Sequence, residues 1–163
     1  MITNYLSPLE FEVTVRRLPN VEFFTQRVSV PGISATPATM PTPFNMTYFT
    51  PDKLIYDQLV LQFIVDEKMN NYMEVFNWIV ATTFPQNYKQ FKDIKDSKEG
   101  TFSDISIIIK SSSKNPAIEI NFVNCQPIAL SDVQLDTTQP DVVYPEASVT
   151  FQYDSYSIKH YNT

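Results

Sequence analysis

Residues 9–16 read LEFEVTVR, an alternation in which each odd position is apolar and each even position is polar or charged. Successive side chains of a strand point to opposite faces, so this stretch predicts a strand with one buried face. A similar alternation recurs at residues 104–110, 117–124 and 147–153. Such apolar faces need a partner sheet or a helix to cover them. The predicted fold class is therefore α+β and mostly β, an antiparallel β-barrel or sandwich with one packed helix.

Three further strands are predicted from shorter or less regular patterns. Residues 21–30 are expected to form a hairpin with residues 9–16 through a turn at residues 18–20. Residues 55–65 are apolar on both faces towards their end, which is typical of a strand covered on both sides. Residues 128–135 predict a short strand.

One helix is predicted, over residues 66–83. Asp66 or Asn71 is the expected N-cap, and Asn71 with Glu74 resembles a capping box. Phe84 followed by proline ends the helix. Apolar side chains recur at helical spacing and form one stripe, which consists of Tyr72, Val75, Phe76, Ile79 and Val80.

Two long connections are predicted, over residues 34–52 and 86–100. The second is polar and charged, whereas the first is rich in proline and aromatic residues. Long loops inside compact domains are usually functional, and aromatic side chains are enriched in interface cores. Packing of these aromatic side chains on the chain's own sheet is the alternative. The candidates for contact with a neighbouring subunit are Pro37, Pro41, Pro43, Phe44, Tyr48 and Phe49.

Composition predicts one globular domain spanning residues 1–163. Of the 163 residues 43% are hydrophobic, and the formal net charge is −6, which argues against a general DNA-binding protein. The single cysteine, Cys125, excludes an intrachain disulfide framework. Residues 1–10 have no basic start and no apolar segment, so no signal peptide is expected, and no apolar run is long enough for a membrane span. A cytosol-like compartment, or a particle assembled there, is the expected location.

The sequence offers no recognisable catalytic, cofactor or metal site. His160 is the only histidine and lies near the end of the sequence, where an exposed residue is expected. Cys125 has no evident histidine partner and is interpreted as a small buried hydrophobic residue. One cysteine and one histidine do not make a structural zinc site, and two glycines do not make a phosphate-binding loop. No enzyme activity and no cofactor are therefore expected.

The order of these pieces resembles the tail tube proteins of T4-like contractile-tailed bacteriophages. The resemblance covers nearly the whole chain and rests on the ordered set, since no single motif is specific. The sequence departs from the family in the proline content of residues 34–52 and in the length and charge of residues 86–100. The segments that carry the resemblance are residues 11–15, 28–33, 57–67, 75–79, 122–127, 133–136 and 149–153, with Tyr156 after them.

The resemblance implies a structural virion protein of the phage tail, assembled in the host cytoplasm. Six copies would join their sheets into one ring barrel, and the homo-hexamers would stack into a tube through which DNA passes during ejection. Sheath, baseplate and tail terminator proteins would be its partners. The alternatives are a baseplate tube initiator, a tube-terminating ring protein, or a tube protein of a bacterial secretion or injection system. A receptor- or glycan-binding β-sandwich is the alternative from another class.

The ring also predicts which side chains line the channel. The polar half of each alternating strand cannot face the core without leaving buried polar groups unpaired, so it faces water or a neighbour. The lumen is one such environment, and the outer surface, facing solvent or a sheath, is the other. The lumen candidates are Glu10, Glu12, Thr14, Ser148, Thr150 and Gln152.

Overall fold

The computed structural model describes residues 5, 6, 8–85, 87–96, 100–138, 141 and 143–161, except for five side chains within helices. Eleven strands and three helices occur in this part of the chain. In chain order they are β1 (Phe11–Val15), α1 (Pro19–Phe24), β2 (Thr25–Ser29), β3 (Ile33–Thr36), β4 (Thr39–Pro41), β5 (Met46–Tyr48), β6 (Lys53–Tyr56), β7 (Leu59–Ile64), α2 (Asn70–Thr83), α3 (Tyr88–Lys95), β8 (Ser103–Lys110), β9 (Pro116–Leu130), β10 (Glu146–Gln152) and β11 (Ser155–His160).

The body of the molecule consists of two antiparallel sheets that share the long strand β9. The first sheet has the order β1-β8-β9-β11, and the second has the order β9-β10-β7-β2. Buried side chains from both sheets form one hydrophobic cluster between them. The mostly β, antiparallel fold class predicted from the alternating segments is confirmed.

Strand β9 passes from one sheet to the other because its alternation changes phase at Asn124. Ile120 and Phe122 are buried before this residue, and Cys125 is buried after it. Asn124 has a φ of 57°, a left-handed conformation that asparagine tolerates better than most residues. Its side-chain amide donates to Asp154 Oδ2 at 2.7 Å. The predicted strands at 117–124 and 128–135 are therefore one strand with a bulge, which ends at residue 130.

Helix α2 packs against the hydrophobic cluster, but its buried face is only partly the predicted stripe. Val75 is buried and Tyr72 and Ile79 are partly buried, whereas Phe76 is 42% exposed. The face that is buried consists of Asn71, Val75, Trp78 and Ala81. Trp78 is 2% exposed, and its indole N–H donates to the Thr101 carbonyl at 3.1 Å. The predicted N-cap is wrong, because the cap position is Met69 in a left-handed conformation without a side-chain cap. Asn71 instead lies fully buried inside the first turn. Its Nδ2 donates to the Ile64 carbonyl at 2.7 Å, and its Oδ1 accepts from the Asp66 N–H at 3.2 Å.

The predicted hairpin between residues 9–16 and 21–30 is wrong. Residues 19–24 form α1, β1 pairs with β8, and β2 pairs with β7. Pro19 occupies the first helical turn, where its missing N–H costs nothing. Val21 is fully buried, and the Glu22 carboxylate accepts a hydrogen bond from the Val15 N–H at 3.2 Å. This tertiary packing outweighs the strand propensity of the sequence.

Both predicted loops contain regular structure. Residues 34–52 include β4, β5 and most of β3, and residues 86–100 contain α3, which packs near α2. The predicted strand over residues 55–65 is divided into β6 and β7. The sequence does not predict strand β11, although Tyr156 within it belongs to the residues that carry the resemblance. No helix within the described ranges is both long and apolar enough to cross a membrane.

Candidate assembly surfaces

Residues 33–56 form a two-stranded antiparallel ribbon, and we call its part up to Pro51, residues 33–51, the arm. Strands β3 and β6 pair from Ile33↔Tyr56 to Thr36↔Lys53, and β4 and β5 continue the ribbon outwards from Thr39↔Tyr48. A turn at its far end is closed by the Thr42 N–H, which donates to the Asn45 carbonyl at 2.9 Å. The arm therefore replaces the predicted loop with a structured projection.

The aromatic side chains of the arm project away from the body. Phe44 is 100% exposed, and Tyr48 and Phe49 are 66% and 51% exposed. At least half of the surface of each residue is open to solvent, so packing within the chain covers only part of Tyr48 and Phe49. The prolines predicted with them lie between β3 and β4 (Pro37), at the end of β4 (Pro41) and beside the tip (Pro43).

No residue from Val28 to Pro51 is charged, although 18% of the whole chain is. Exposed edge strands normally carry charges, lysine above all, that prevent pairing with other chains. The arm lacks these charges, which resume at Asp52 and Lys53 beside it, and it exposes large apolar side chains along its length. An uncharged surface with exposed apolar side chains is typical of a protein–protein interface.

The arm is fixed to the body by tyrosines at its root. Tyr153 donates from its hydroxyl to the Asp57 carbonyl at 2.6 Å, and Tyr156 donates to the Pro31 carbonyl at 3.3 Å. The rings of Tyr56 and Tyr156 lie 5.5 Å apart, edge to face. Burial raises the pKa of Tyr153 to about 12. The Asp57 carbonyl is therefore held by a neutral hydroxyl donor at ordinary pH.

The six polar residues predicted for a lumen lie on the outer faces of different sheets. Glu10, Glu12 and Thr14 belong to the β1 side of the first sheet, where Glu12 forms an ion pair with Lys110 at 2.9 Å. Ser148 and its alternating partners Thr150 and Gln152 belong to β10 in the second sheet. Because the inner faces of the two sheets meet in one core, their outer faces point away from each other.

Among the described strands β11 pairs only with β9, so it forms an edge of the first sheet. Ile158 lies opposite the buried Ile120, on the side that faces the core, yet it is 51% exposed. An apolar side chain in this position lacks the cover that the neighbouring strands have. The other edge is β1, which pairs only with β8 among the described strands.

The two groups considered for chemistry, Cys125 and His160, lie in different environments. Cys125 is fully buried, and burial raises the pKa of its thiol to about 12. His160 is exposed on β11 opposite Ile118, and it is part of a strand, not a tail. In the part of the chain that the structure describes, no three His, Cys, Asp or Glu side chains are grouped to hold a metal ion.

A sequence model of the phage tail tube protein family matches residues 7–159. The chain belongs to this family. As a tail tube protein it has a structural role, and the resemblance noted from the sequence is confirmed. No curated protein matches its sequence significantly.

Solved structures from contractile injection systems share the fold of this tail tube protein. A chain of the anti-feeding prophage tube-terminating cap superposes with a TM-score of 0.70 at 16% identity, covering 99% of this chain and 95% of that one. A chain of the anti-feeding prophage baseplate, determined with six-fold symmetry, gives 0.66 at 11% identity and 98% coverage of both chains. A chain of the PVC extracellular contractile injection system sheath–tube complex gives 0.62 at 18% identity, covering 96% and 93%.

Sequence reasoning placed the arm correctly along the chain but missed its structure. The available signal was the uncharged stretch from Val28 to Pro51, which can be counted in the sequence. The exposed apolar side of β11 left no comparable signal, since Ile158 sits in a polar, unremarkable context.

Proposed function

We propose that this tail tube protein forms hexameric rings that stack into a tube, through which DNA passes during ejection. The observation that carries the proposal is the structured arm, which is uncharged and exposes large apolar side chains. In a monomer these side chains would remain exposed to water. Six copies are favoured because the related baseplate structure was determined with six-fold symmetry. Sheath, baseplate and terminator proteins are the further partners, and host cytoplasm is the place of assembly.

Within a ring, we assign the lateral contact to the first sheet. Its free edges are β1 and β11, and the exposed Ile158 beside β11 would be covered by the next subunit. Pairing edge to edge would close six sheets into one barrel and remove the exposed backbone groups. The lumen would then be lined by the outer face of the first sheet.

This arrangement assigns the two polar groups to different environments. Glu10, Glu12 and Thr14 would face the DNA path, whereas the residues at 148, 150 and 152 would face outwards, towards solvent or a sheath. Acidic side chains on the lumen repel phosphate, so DNA could slide without binding. No catalytic step is part of this function, since passage needs only a passive channel.

A ring that starts or ends a tube is the second candidate, because the fold also occurs in cap and baseplate structures. The two roles differ in how far assembly continues. A main tube protein should polymerise into long tubes, whereas an initiating or terminating protein should stop at single rings. Negative-stain images of the purified protein would separate the two, and monomers at high concentration would contradict both.

Deletion of residues 37–48 tests the role of the arm. The deleted segment lies beyond the β3–β6 ladder and is exposed, so the body should keep its fold. Rings should still form, but stacking should be lost because the apolar contact is gone. Circular dichroism and negative-stain images would measure the two properties. A deleted protein that builds normal tubes would exclude the arm as a stacking element.

A further inference from the structure

An apolar groove lies at the end of the second sheet that is farthest from the arm. It has a volume of about 640 Å³. Its walls come from the end of α1, the end of β7 with the connection that follows it, and the segments 133–135 and 144–145. Its apolar side chains include Phe24, Ile64, Met69, Val133, Leu135 and Tyr144, and Asp66 and Glu67 also line it.

The topology places arm and groove at opposite ends of the same strands. Strand β7 begins at Leu59, three residues after the end of β6 at the root of the arm, and ends at Ile64 in the groove wall. Strand β2 runs the other way, from the groove to the arm. At about 3.3 Å per residue, the six residues of β7 separate the two surfaces by roughly 17 Å. One copy therefore carries a projection at one end and an apolar recess at the other.

Two different surfaces on one chain that fit each other generate a head-to-tail contact. Such a contact does not close on itself in a pair of molecules but continues as a stack. The arm is uncharged and exposes apolar side chains, so it needs a site where no charge loses its hydration. The groove meets this requirement along most of its wall.

A second cavity at the same end of the molecule does not meet this requirement for an uncharged site. It contains Asp132, Asp136, Asp141 and Glu146, and it is separated from the groove by the 133–135 segment. Gln134 lines this acidic cavity, whereas its neighbour Leu135 lines the groove. Burying carboxylates under an uncharged ribbon would leave them without partners, which is strongly unfavourable.

We propose that the groove at the end of β7 receives the arm of a second copy of this chain, with Phe44 as the anchoring side chain. The proposal rests on the proposed stacking function and adds the receiving surface. Phe44 is fully exposed at the tip, and Leu135 is 84% exposed at the groove, so each is free to contact a neighbour. Aromatic anchors that enter apolar pockets dominate the energetics of many interfaces.

Photo-crosslinking tests the contact directly in the assembled protein. Phe44 would be replaced by the photoreactive p-benzoylphenylalanine, a larger aromatic side chain. After irradiation, mass spectrometry should locate intermolecular adducts on Met69, Val133 or Leu135, which line the groove and not the acidic cavity. Adducts confined to the acidic cavity or to other surfaces of an assembled tube would overturn the proposal while leaving tube formation intact.

A matched pair of adjacent substitutions gives the second measurement. Leu135→Asp places a charge in the groove and should reduce sedimentable tubes at least tenfold while single rings persist. Gln134→Asp adds the same charge one residue away, in the acidic cavity, and should leave tube yield within about twofold. Because both side chains are exposed, both variants should fold, which circular dichroism checks.

The outcomes separate this proposal from the function it rests on. Normal tubes from Leu135→Asp would overturn the groove and leave the tube function standing. A wild-type protein that forms neither rings nor tubes would overturn the tube function. In that case only adducts from position 44 to the groove of another chain would support the arm–groove contact, and their absence would overturn it as well.

Discussion

Asn71 shows how a single buried polar residue connects a helix to the sheet below it. It is the one residue of α2 that is polar and fully buried, and both ends of its amide are used. The donor satisfies Ile64 at the end of β7, and the acceptor satisfies Asp66 in the connection. The side chain therefore fixes the path from strand to helix in place of an N-cap.

Asn71→Ala should lower the free energy of unfolding by about 2–3 kcal/mol, because it leaves buried backbone groups without partners. Asn70→Ala is the control, since Asn70 is exposed and makes only a long 3.3 Å contact to Asp66, and it should change stability by less than about 0.5 kcal/mol. Urea denaturation at one fixed protein concentration would measure both. Equal effects of the two substitutions would contradict the role assigned to Asn71.

Helices and strands whose apolar residues recur with a strong period can be predicted from the sequence. Those whose conformation depends on tertiary packing or strand pairing cannot. Helix α2 was predicted because its apolar stripe extends over several turns. Helix α1 was missed because Val21 and the phenylalanines after it favour a strand locally, and only contacts with β1 and α2 make it helical. The arm was missed because its side chains are exposed on both faces, so no alternation marks its strands.

The candidate surfaces divide in the same way. The polar faces of β1 and β10 could be predicted from alternation, because a polar residue between two buried neighbours in a strand points to the outer face of the sheet. That they lie on opposite sides of the molecule could not, since it depends on the bulge at Asn124 that carries β9 between the sheets. The groove could not be predicted from the sequence either, because it is built from segments that are distant in sequence.

Asn124→Val should destabilise the protein by about 1–3 kcal/mol, because a β-branched residue is strained at a φ of 57°. Asn124→Gly removes that strain and loses only the exposed amide contact to Asp154, so its effect should be below about 1 kcal/mol. Thermal unfolding of the two variants side by side would measure the difference. If valine and glycine behaved alike, the bulge would not be a constraint on β9.

For the whole molecule, charge distinguishes the two outer faces. Each chain has a formal net charge of −6, and the face assigned to the lumen includes Glu10 and Glu12. The Glu12–Lys110 pair is partly exposed, and such pairs contribute little to stability, so reversing Glu12 should leave the fold intact. The lumen assignment can therefore be tested without dismantling the ring.

Glu10→Lys combined with Glu12→Lys would put positive charges along the proposed DNA path. Assembly should persist, but DNA release from phage carrying the variant should slow, because phosphate binds the new lysines. Ser148→Lys with Thr150→Lys is the matched control on the opposite face, and it should release DNA at the normal rate. Normal release from the glutamate variant, with its presence in the tail verified, would move the lumen to another surface.

The uncharged arm has a consequence for how the tubes respond to solution conditions. The Debye length falls from about 10 Å at 0.1 M salt to about 3 Å at 1 M, which weakens contacts between exposed ions. Stacking through residues 28–51 offers salt no charge to screen, so high ionic strength should leave tubes intact. Apolar contacts weaken on cooling instead. Tubes held by the arm should therefore stay intact at high ionic strength and become shorter at low temperature. Assemblies held by ion pairs should instead weaken at high ionic strength.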